Sequence, residues 1–91
     1  MKIRYSPGFY QRYKKLDVRV CKSFDEKIKT FLKDPYDLQL DNHVLKKKWA
    51  GYRSIDITVD YRAIYEETHE EEDIIAYFVA LGTHDELYKE P

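Results

Sequence analysis

At 91 residues the chain has the length of one domain, near the size at which a single hydrophobic core gives only marginal stability. Its composition, 43% hydrophobic with three glycines and three prolines, is that of a globular protein. The net charge of −1 argues against a strongly basic nucleic-acid-binding protein. Affinity for RNA or DNA therefore needs a shaped site or a larger platform.

The charge is unevenly distributed along the chain. Residues 1–31 carry nine Lys or Arg against three Asp or Glu, and residues 66–73 hold six acidic residues. The rest of the surface can therefore present a local positive face. Cys21 is the only cysteine, which excludes an intramolecular disulfide and suits a reducing compartment. No apolar run has the length of a membrane span or the position of a signal sequence, so we expect a cytoplasmic protein.

The N-terminal third predicts a short strand, Lys2–Tyr5, followed by two amphipathic helices. Ser6-Pro7 begins the first helix, with the serine as N-cap and the proline at the first helical position. Asp17 can cap the second helix, and the Asp34-Pro35 step closes it. Apolar residues recur in two helical stripes: Phe9, Tyr13, Leu16 and Val20, then Cys21, Phe24, Ile28, Phe31 and Leu32. A single bent helix fits the same pattern.

The rest of the chain predicts a sheet. Residues 35–50 are polar and irregular, and three strands follow at residues 52–58, 61–68 and 74–82. The acidic residues 66–73 are interpreted as the exposed tip of the last hairpin. Residues 1–91 are therefore predicted to form a single α+β domain, with two N-terminal helices packed on a small twisted antiparallel sheet of about four strands.

Two histidines lie where chemistry is plausible. His43 precedes Lys46, Lys47 and Lys48, and an imidazole beside ammonium groups can exchange a proton near a bound phosphate. The competing interpretation, for His43 and for the three lysines alike, is that they lie in a solvated loop. His84 follows the last strand, a common place for functional groups. The same residue can begin a C-terminal helix with Thr83 as N-cap and Glu86 in a capping box, which leaves the imidazole free.

Charged residues inside the predicted strands are the next candidates. Arg53 and Arg62 are either partners in salt bridges at the rim or anion receptors, because the guanidinium fork matches phosphate geometry. Asp56 and Asp60 can hold these arginines or orient a histidine, although Asp60 also suits a turn. His69, in the acidic segment, is interpreted as solvated. There is no metal-ligand spacing, phosphate-binding glycine loop or nucleophile elbow, so no cofactor is expected.

Four segments resemble the RelE/ParE superfamily of toxins from type II toxin–antitoxin systems, most closely its YafQ-like branch: residues 42–45, 49–55, 60–65 and 82–88. The helices and the strand order also fit, so the resemblance covers most of the chain. It implies a compact RelE-like microbial RNase fold that uses no metal. It also implies a ribosome-dependent endoribonuclease that cuts mRNA and is neutralised by a co-expressed antitoxin in a higher-order hetero-oligomer.

The resemblance assigns roles to single residues. The catalytic histidines of the YafQ-like pattern fall on His43 and His84, and the catalytic aspartate on Asp60. The strand arginine of RelE-like toxins falls on Arg62, and the C-terminal aromatic residue on Tyr88.

Three positions depart from the family pattern. YafQ itself has a further histidine where this chain has Asp56. A glycine common after the His-x-Leu segment is replaced by Lys47. The glycine often found before the Asp-Tyr-Arg run is Val59, which is unfavourable where a primed turn requires positive φ.

The expected reaction is attack by an RNA 2′-hydroxyl on its own phosphate. It needs a base, an acid and cations that stabilise the extra negative charge. His43 and His84 are the expected acid/base pair, in either order, and Asp60 orients or tunes one of them. Arg62, Arg53 and the three lysines hold phosphate, and Tyr88 stacks a base. Two alternatives remain: a ParE-like toxin that inhibits DNA gyrase without cutting RNA, and an inactive homologue that only binds an antitoxin.

Overall fold

The computed structural model describes residues 1–89. Its helices are α1 (Pro7–Lys15), α2 (Val18–Lys33) and α3 (His84–Tyr88). Its strands are β1 (Lys2–Tyr5), β2 (His43–Val44), β3 (Arg53–Asp56), β4 (Tyr61–Glu70) and β5 (Asp73–Thr83). Two 3₁₀ helices, Leu38–Leu40 and Lys47–Trp49, lie between α2 and β3. None of the helices within residues 1–89 is long and apolar enough to cross a bilayer.

The caps expected from the sequence begin both N-terminal helices. The Ser6 hydroxyl accepts the Phe9 N–H at 3.0 Å, and the Asp17 carboxylate accepts the Arg19 N–H at 2.7 Å. Leu16, between the helices, has an extended backbone with ψ 157°. The chain therefore forms two helices rather than one bent helix, and Asp34 is the C-cap of α2, so the helix closes at the expected step.

The strand order is β1-β5-β4-β3-β2. The predicted α+β class is confirmed, but the sheet has five strands and is mixed, because β1 runs parallel to β5. The extra strand is β2, which has only two residues and so shows no periodicity in the sequence. The parallel pairing of β1 results from the helical crossover through α1 and α2, and alternation of side chains does not encode that direction.

The hairpin of β4 and β5 is longer than predicted. Both strands continue through the acidic segment, so only residues 71–72 form the turn and the prediction of a tip over residues 66–73 is wrong. Cations of β1 lie beside the acidic strand ends. The Lys2 Nζ is 2.8 Å from Asp73 Oδ2, and Arg4 Nη2 is 3.2 Å from Glu70 Oε1. These exposed pairs offset part of the repulsion between the carboxylates at the strand ends.

Two predicted glycine replacements have different outcomes. Lys47 has φ +57°, so a lysine adopts the left-handed conformation that glycine favours. Val59 is not among the residues with positive φ within residues 1–89. The expectation of a tight primed turn at Val59 is therefore wrong. The β3–β4 connection spans residues 57–60, and this longer loop avoids the left-handed conformation there.

The main core lies between the two long helices and one face of the sheet. Phe31 of α2 packs edge-on against Tyr65 of β4 and Phe78 of β5, with ring centroids 5.2 and 5.5 Å away. Ile55 and Ile57 join the same cluster from β3 and its end. The residues that alternate with these on each strand point to the opposite face, where the candidate site lies.

Candidate active site

The register of the sheet brings three candidate side chains to the face opposite α1 and α2. Residues directly opposite on antiparallel strands share a face, and so do residues two apart on one strand. Asp56 on β3 is opposite Arg62 on β4. His43 on β2 is opposite Ser54, which is two residues before Asp56. His43, Asp56 and Arg62 therefore lie in two adjacent rows of one face.

Arg62 is held in one orientation by the β3–β4 connection. Its Nε lies 2.9 Å from Oδ1 of Asp56, and the two side chains are only 20% and 32% exposed. Its Nη1 donates to the carbonyl oxygens of Thr58 and Val59, each at 3.0 Å. Within residues 1–89, Nη1 donates these hydrogen bonds and Nη2 donates none. That nitrogen is the part of the guanidinium available to an anion.

Asp56 is a carboxylate in a partly desolvated position. Burial raises its pKa, and the positive charge of Arg62 opposes that rise without cancelling it. Asp41 raises the pKa further, and His43 and Lys27 lower it. These charges reach Asp56 from β4, from the segment around β2 and from α2. The carboxylate therefore lies between the guanidinium and the imidazole of the site.

His43 is exposed and held by its own loop. Its Nδ1 lies 2.7 Å from the backbone carbonyl oxygen of Asp41. A carbonyl oxygen only accepts hydrogen bonds, so Nδ1 carries the proton and the neutral ring presents Nε2 as an acceptor. Asp41 has φ +45°, and this left-handed turn directs its carbonyl group toward the ring. The arrangement suits an imidazole that exchanges a proton at Nε2.

His84 begins α3 beside the β3–β4 connection. Thr83 and Glu86 form the expected capping box. The His84 N–H donates to the Asp60 carbonyl oxygen at 3.0 Å. The exposed imidazole packs on Tyr88, one helical turn later, with ring centroids 4.6 Å apart, and its Nδ1 lies 3.7 Å from Asp85 Oδ1. The cap thus fixes the backbone and leaves the ring free.

A side chain from α1 holds the first turn of α3. Nη2 of Arg12 donates to both carboxylate oxygens of Glu86 at 2.8 Å. The pKa of Glu86 is lowered, first by the Thr83 backbone N–H and also by Arg12. Arg12 therefore supports the cap that positions His84.

The other end of α3 is tied to the Lys47–Trp49 helix. Nε1 of Trp49 donates to the Leu87 carbonyl oxygen at 2.7 Å, and Lys48 Nζ donates to the Lys89 carbonyl oxygen at 2.8 Å. Leu87 is buried, and it lies beside Gly82 of β5. These contacts bring the lysine-rich segment and α3 together over the same face of the sheet.

The chain has relatives among known proteins. The family described as the bacterial toxin YafQ of type II toxin–antitoxin systems matches residues 1–89. The chain belongs to the YafQ family. The resemblance to the RelE/ParE superfamily and its YafQ-like branch is thereby confirmed. A comparison with curated proteins found no match.

Solved structures of toxins share the fold. YafQ from E. coli strain BL21(DE3) is 25% identical, with a TM-score of 0.66, covering 96% of this chain and 97% of that one. YafQ in the E. coli DinJ–YafQ toxin–antitoxin complex is also 25% identical, with a TM-score of 0.64 and 96% of each chain covered. A YoeB/ParE toxin from Agrobacterium tumefaciens is 21% identical, with a TM-score of 0.73, covering 92% of this chain and 99% of that one. This last similarity shows the fold alone.

Two groups of expected site residues emerge in the YafQ-family structure. His43 and Arg62 share the sheet face, and His84 and Tyr88 form a pair of tilted, contacting rings on α3. Asp60 contacts the second group through its backbone, where its carbonyl oxygen accepts the His84 N–H. Within residues 1–89 its carboxylate bonds to neither histidine.

The other cations divide between the two faces. Lys46 and Lys47 are exposed, and Lys48 is bonded to the end of α3. Arg53 alternates with Ser54 and so points to the face covered by the long helices. There its Nε donates to Asn42 Oδ1 at 2.8 Å, and the guanidinium lies 5.3 Å from the Tyr36 ring. The structure does not bring Arg53 together with the other candidates.

Sequence reasoning missed two residues of this YafQ-family site. Asp41, whose carbonyl oxygen orients His43, shows no recognisable signal, because its role depends on backbone conformation. Trp49 has a recognisable signal: a largely buried indole N–H needs an acceptor, and the Leu87 carbonyl oxygen in α3 accepts it. No group of three or more His, Cys, Asp or Glu side chains within residues 1–89 is arranged to hold a metal ion.

Proposed function

We propose that this YafQ-family toxin is a ribosome-dependent endoribonuclease that cuts mRNA and so inhibits translation. The observation that carries the proposal is the convergence of His43, Asp56 and Arg62 on one sheet face. The exposed imidazole of His84 begins α3 next to the β3–β4 connection that holds Arg62. An imidazole, a carboxylate and a guanidinium are the groups that phosphodiester cleavage requires. The net charge of −1 fits a toxin that relies on the ribosome to position its substrate.

The reaction is a transfer within the RNA strand. A base removes the proton of the 2′-hydroxyl, whose oxygen attacks the adjacent phosphorus. The bond from phosphorus to the 5′-oxygen breaks, and an acid protonates that oxygen. The products are a 2′,3′-cyclic phosphate and a 5′-hydroxyl, so atoms and charge balance without a cofactor.

Each residue is assigned a role in this reaction from its position in the site. His43, with Nε2 presented, and His84 are the acid/base pair, in either order. Nη2 of Arg62 neutralises the charge that develops on the phosphate, supported by Lys46 and Lys47. Tyr88, packed against the His84 ring, offers an aromatic surface to a base.

Asp60 and Asp56 each position one of the other site residues. Asp60 holds the His84 backbone through its carbonyl oxygen, which maintains the position of that ring. Asp56 holds Arg62 through its Nε. Both contacts act through another residue rather than on the RNA.

We propose a cognate antitoxin as the protein partner and the cytoplasm as the site of action. The solved E. coli DinJ–YafQ toxin–antitoxin complex supports a partner of this kind, since YafQ there is 25% identical to this chain. The ribosome and mRNA follow from the proposed reaction. In the resting state, a higher-order complex of toxin and antitoxin keeps the site inactive.

The test is to map mRNA 5′ ends after brief induction in growing cells. The wild-type protein should arrest growth and produce new ends within translated regions. His43→Gln and His84→Gln should each reduce cleavage by roughly 10²–10⁴-fold, the usual contribution of a general acid or base. His69→Gln is the matched control, because His69 is an exposed histidine on the distal part of β4.

The outcomes separate the alternatives. Growth arrest with unchanged transcript ends would favour the gyrase-inhibiting toxin. No arrest by a folded protein that still binds its antitoxin would favour the inactive homologue. Equal cleavage by His69→Gln and wild type, with loss in the two site variants, supports the proposal.

A further inference from the structure

A cavity of about 320 Å³ lies between the end of β1 and the two long helices, on the face opposite the candidate active site. Its floor is formed by the buried rings of Phe9 and Phe24, whose centroids are 5.3 Å apart. Tyr5 stacks on Phe9 at 5.1 Å, and Tyr13 packs edge-on against Phe24 at 5.8 Å. The volume is near the lower end of the range for small-ligand pockets, and suits one long side chain.

One end of this aromatic cavity carries a negative charge. The Tyr13 hydroxyl donates to Oδ1 of Asp25 at 2.9 Å, and this bond raises the pKa of Tyr13 to about 12. Burial raises the pKa of Tyr5, and the Asp25 charge adds to that rise. Within residues 1–89, Asp25 forms no ion pair and its Oδ2 has no hydrogen-bond partner. The carboxylate therefore keeps an acceptor free at the cavity.

Aromatic faces and a carboxylate together select a cation with an apolar stem. The ring faces carry the negative part of the aromatic quadrupole and attract cations. The rim already shows this preference, since the Lys14 Nζ lies 4.9 Å from the centroid of Tyr10. A guanidinium stacks on rings and pairs with a carboxylate better than an ammonium does.

We propose that this cavity receives an arginine side chain of the antitoxin, with its methylene stem on the rings and its guanidinium on Asp25. The inference rests on the proposed function only in naming the antitoxin as the partner. A purely apolar side chain fits less well, because it would cover the Asp25 carboxylate without a compensating charge. Lys14 opposes the arginine only from the solvated rim, where water and salt screen its charge.

The first test uses a probe that does not depend on the toxin's activity. N-acetyl-arginine methylamide is titrated against the full chain while the ring resonances of Tyr5 and Tyr13 are followed by NMR. The neutral citrulline analogue is titrated in parallel. We expect the arginine probe to shift these resonances and to bind about fivefold or more tightly than the citrulline probe.

Two matched variants test whether the Asp25 carboxylate is the charge that binds the arginine probe. Asp25→Asn and Glu26→Gln each remove one exposed carboxylate from α2, but only Asp25 lines the cavity. Asp25→Asn should weaken the arginine probe about fivefold, and Glu26→Gln should leave its binding unchanged. Equal binding of arginine and citrulline, or equal weakening by both variants, would overturn the assignment of a cation site.

The second test asks whether the antitoxin uses the cavity. Affinity for the antitoxin encoded beside the toxin should fall about tenfold in Asp25→Asn and not in Glu26→Gln, while mRNA cleavage by the free variants stays at the wild-type level. An unchanged complex would overturn the choice of partner even if the arginine probe binds. Wild-type protein that cuts no mRNA would refute the proposed function alone, because neither binding measurement requires cleavage.

Discussion

Replacement of Asp56 by asparagine should leave the protein as stable as wild type at neutral pH, or slightly more stable. The pair with Arg62, at 2.9 Å, suggests the opposite. However, the pKa of Asp56 is raised, so the cost of burying its charge exceeds the attraction of Arg62. Asparagine has the same shape and no charge to desolvate. We expect a change in the free energy of unfolding within about 1 kcal/mol.

Removal of the other partner, Arg62, should cost more stability than removal of Asp56. Arg62→Gln leaves the Asp56 carboxylate partly buried without its counter-charge, and it also removes the Nη1 bonds to Thr58 and Val59. With the two side chains only 20% and 32% exposed, the cost should lie between that of a surface pair and that of a fully buried one. We expect a loss of about 2–3 kcal/mol. The double variant should be more stable than Arg62→Gln alone, because no carboxylate is then left unpaired.

Urea denaturation from pH 3 to pH 7 tests this reasoning. An unfolded aspartate titrates near about 3.9, and Asp56 in the folded protein titrates higher. The folded state therefore holds more protons across that interval, and the wild type loses stability relative to Asp56→Asn as the pH rises through it. Below it the two proteins should be equally stable. A loss of more than about 2 kcal/mol in Asp56→Asn at pH 7 would show that the Arg62 attraction dominates.

Three further substitutions give sharp expectations. His84→Gln should change stability by no more than about 1 kcal/mol in thermal unfolding, because Thr83 and Glu86 form the cap, while mRNA cleavage falls by roughly 10²–10⁴-fold. A folded variant that is still fully toxic would exclude His84 from catalysis. Lys47→Gly should raise stability by up to about 1 kcal/mol, since lysine has φ +57° there, and a lower melting temperature would contradict this. Ser54→Ala should be neutral or stabilising by up to about 1 kcal/mol in urea denaturation, because the buried Ser54 hydroxyl has no partner within residues 1–89; a loss above about 1 kcal/mol would imply a bond to water.

Local signals in the chain determined much of the fold. The caps at Ser6, Asp17 and Thr83 depend on a side chain and a backbone N–H two or three residues later. The helical stripes require only a period of 3.6 residues, and the core confirms Phe9, Phe24 and Phe31 as buried. Interactions of this range can be inferred without knowing what lies across the molecule.

Local signals of this kind could not predict how the strands pair. The parallel direction of β1 and the two-residue strand β2 depend on which backbone groups meet across the sheet. The acidic segment of residues 66–73 suggested a solvated tip, yet β1 supplies cations to it from the other end of the sequence. Partners so distant in the chain leave no periodic trace in either segment.

For the candidate site too, some features could be predicted from the sequence and others depended on the tertiary structure. The residue types that suit phosphodiester chemistry, His43, Arg62 and His84, were identifiable from the sequence by their chemistry and their resemblance to the YafQ family. Only the register decided that Asp56 holds Arg62 while Arg53 points to the opposite face. A shift of one residue along a strand reverses the face on which a side chain lies. The sequence by itself therefore determined the candidate groups, and the tertiary structure decided which of them meet.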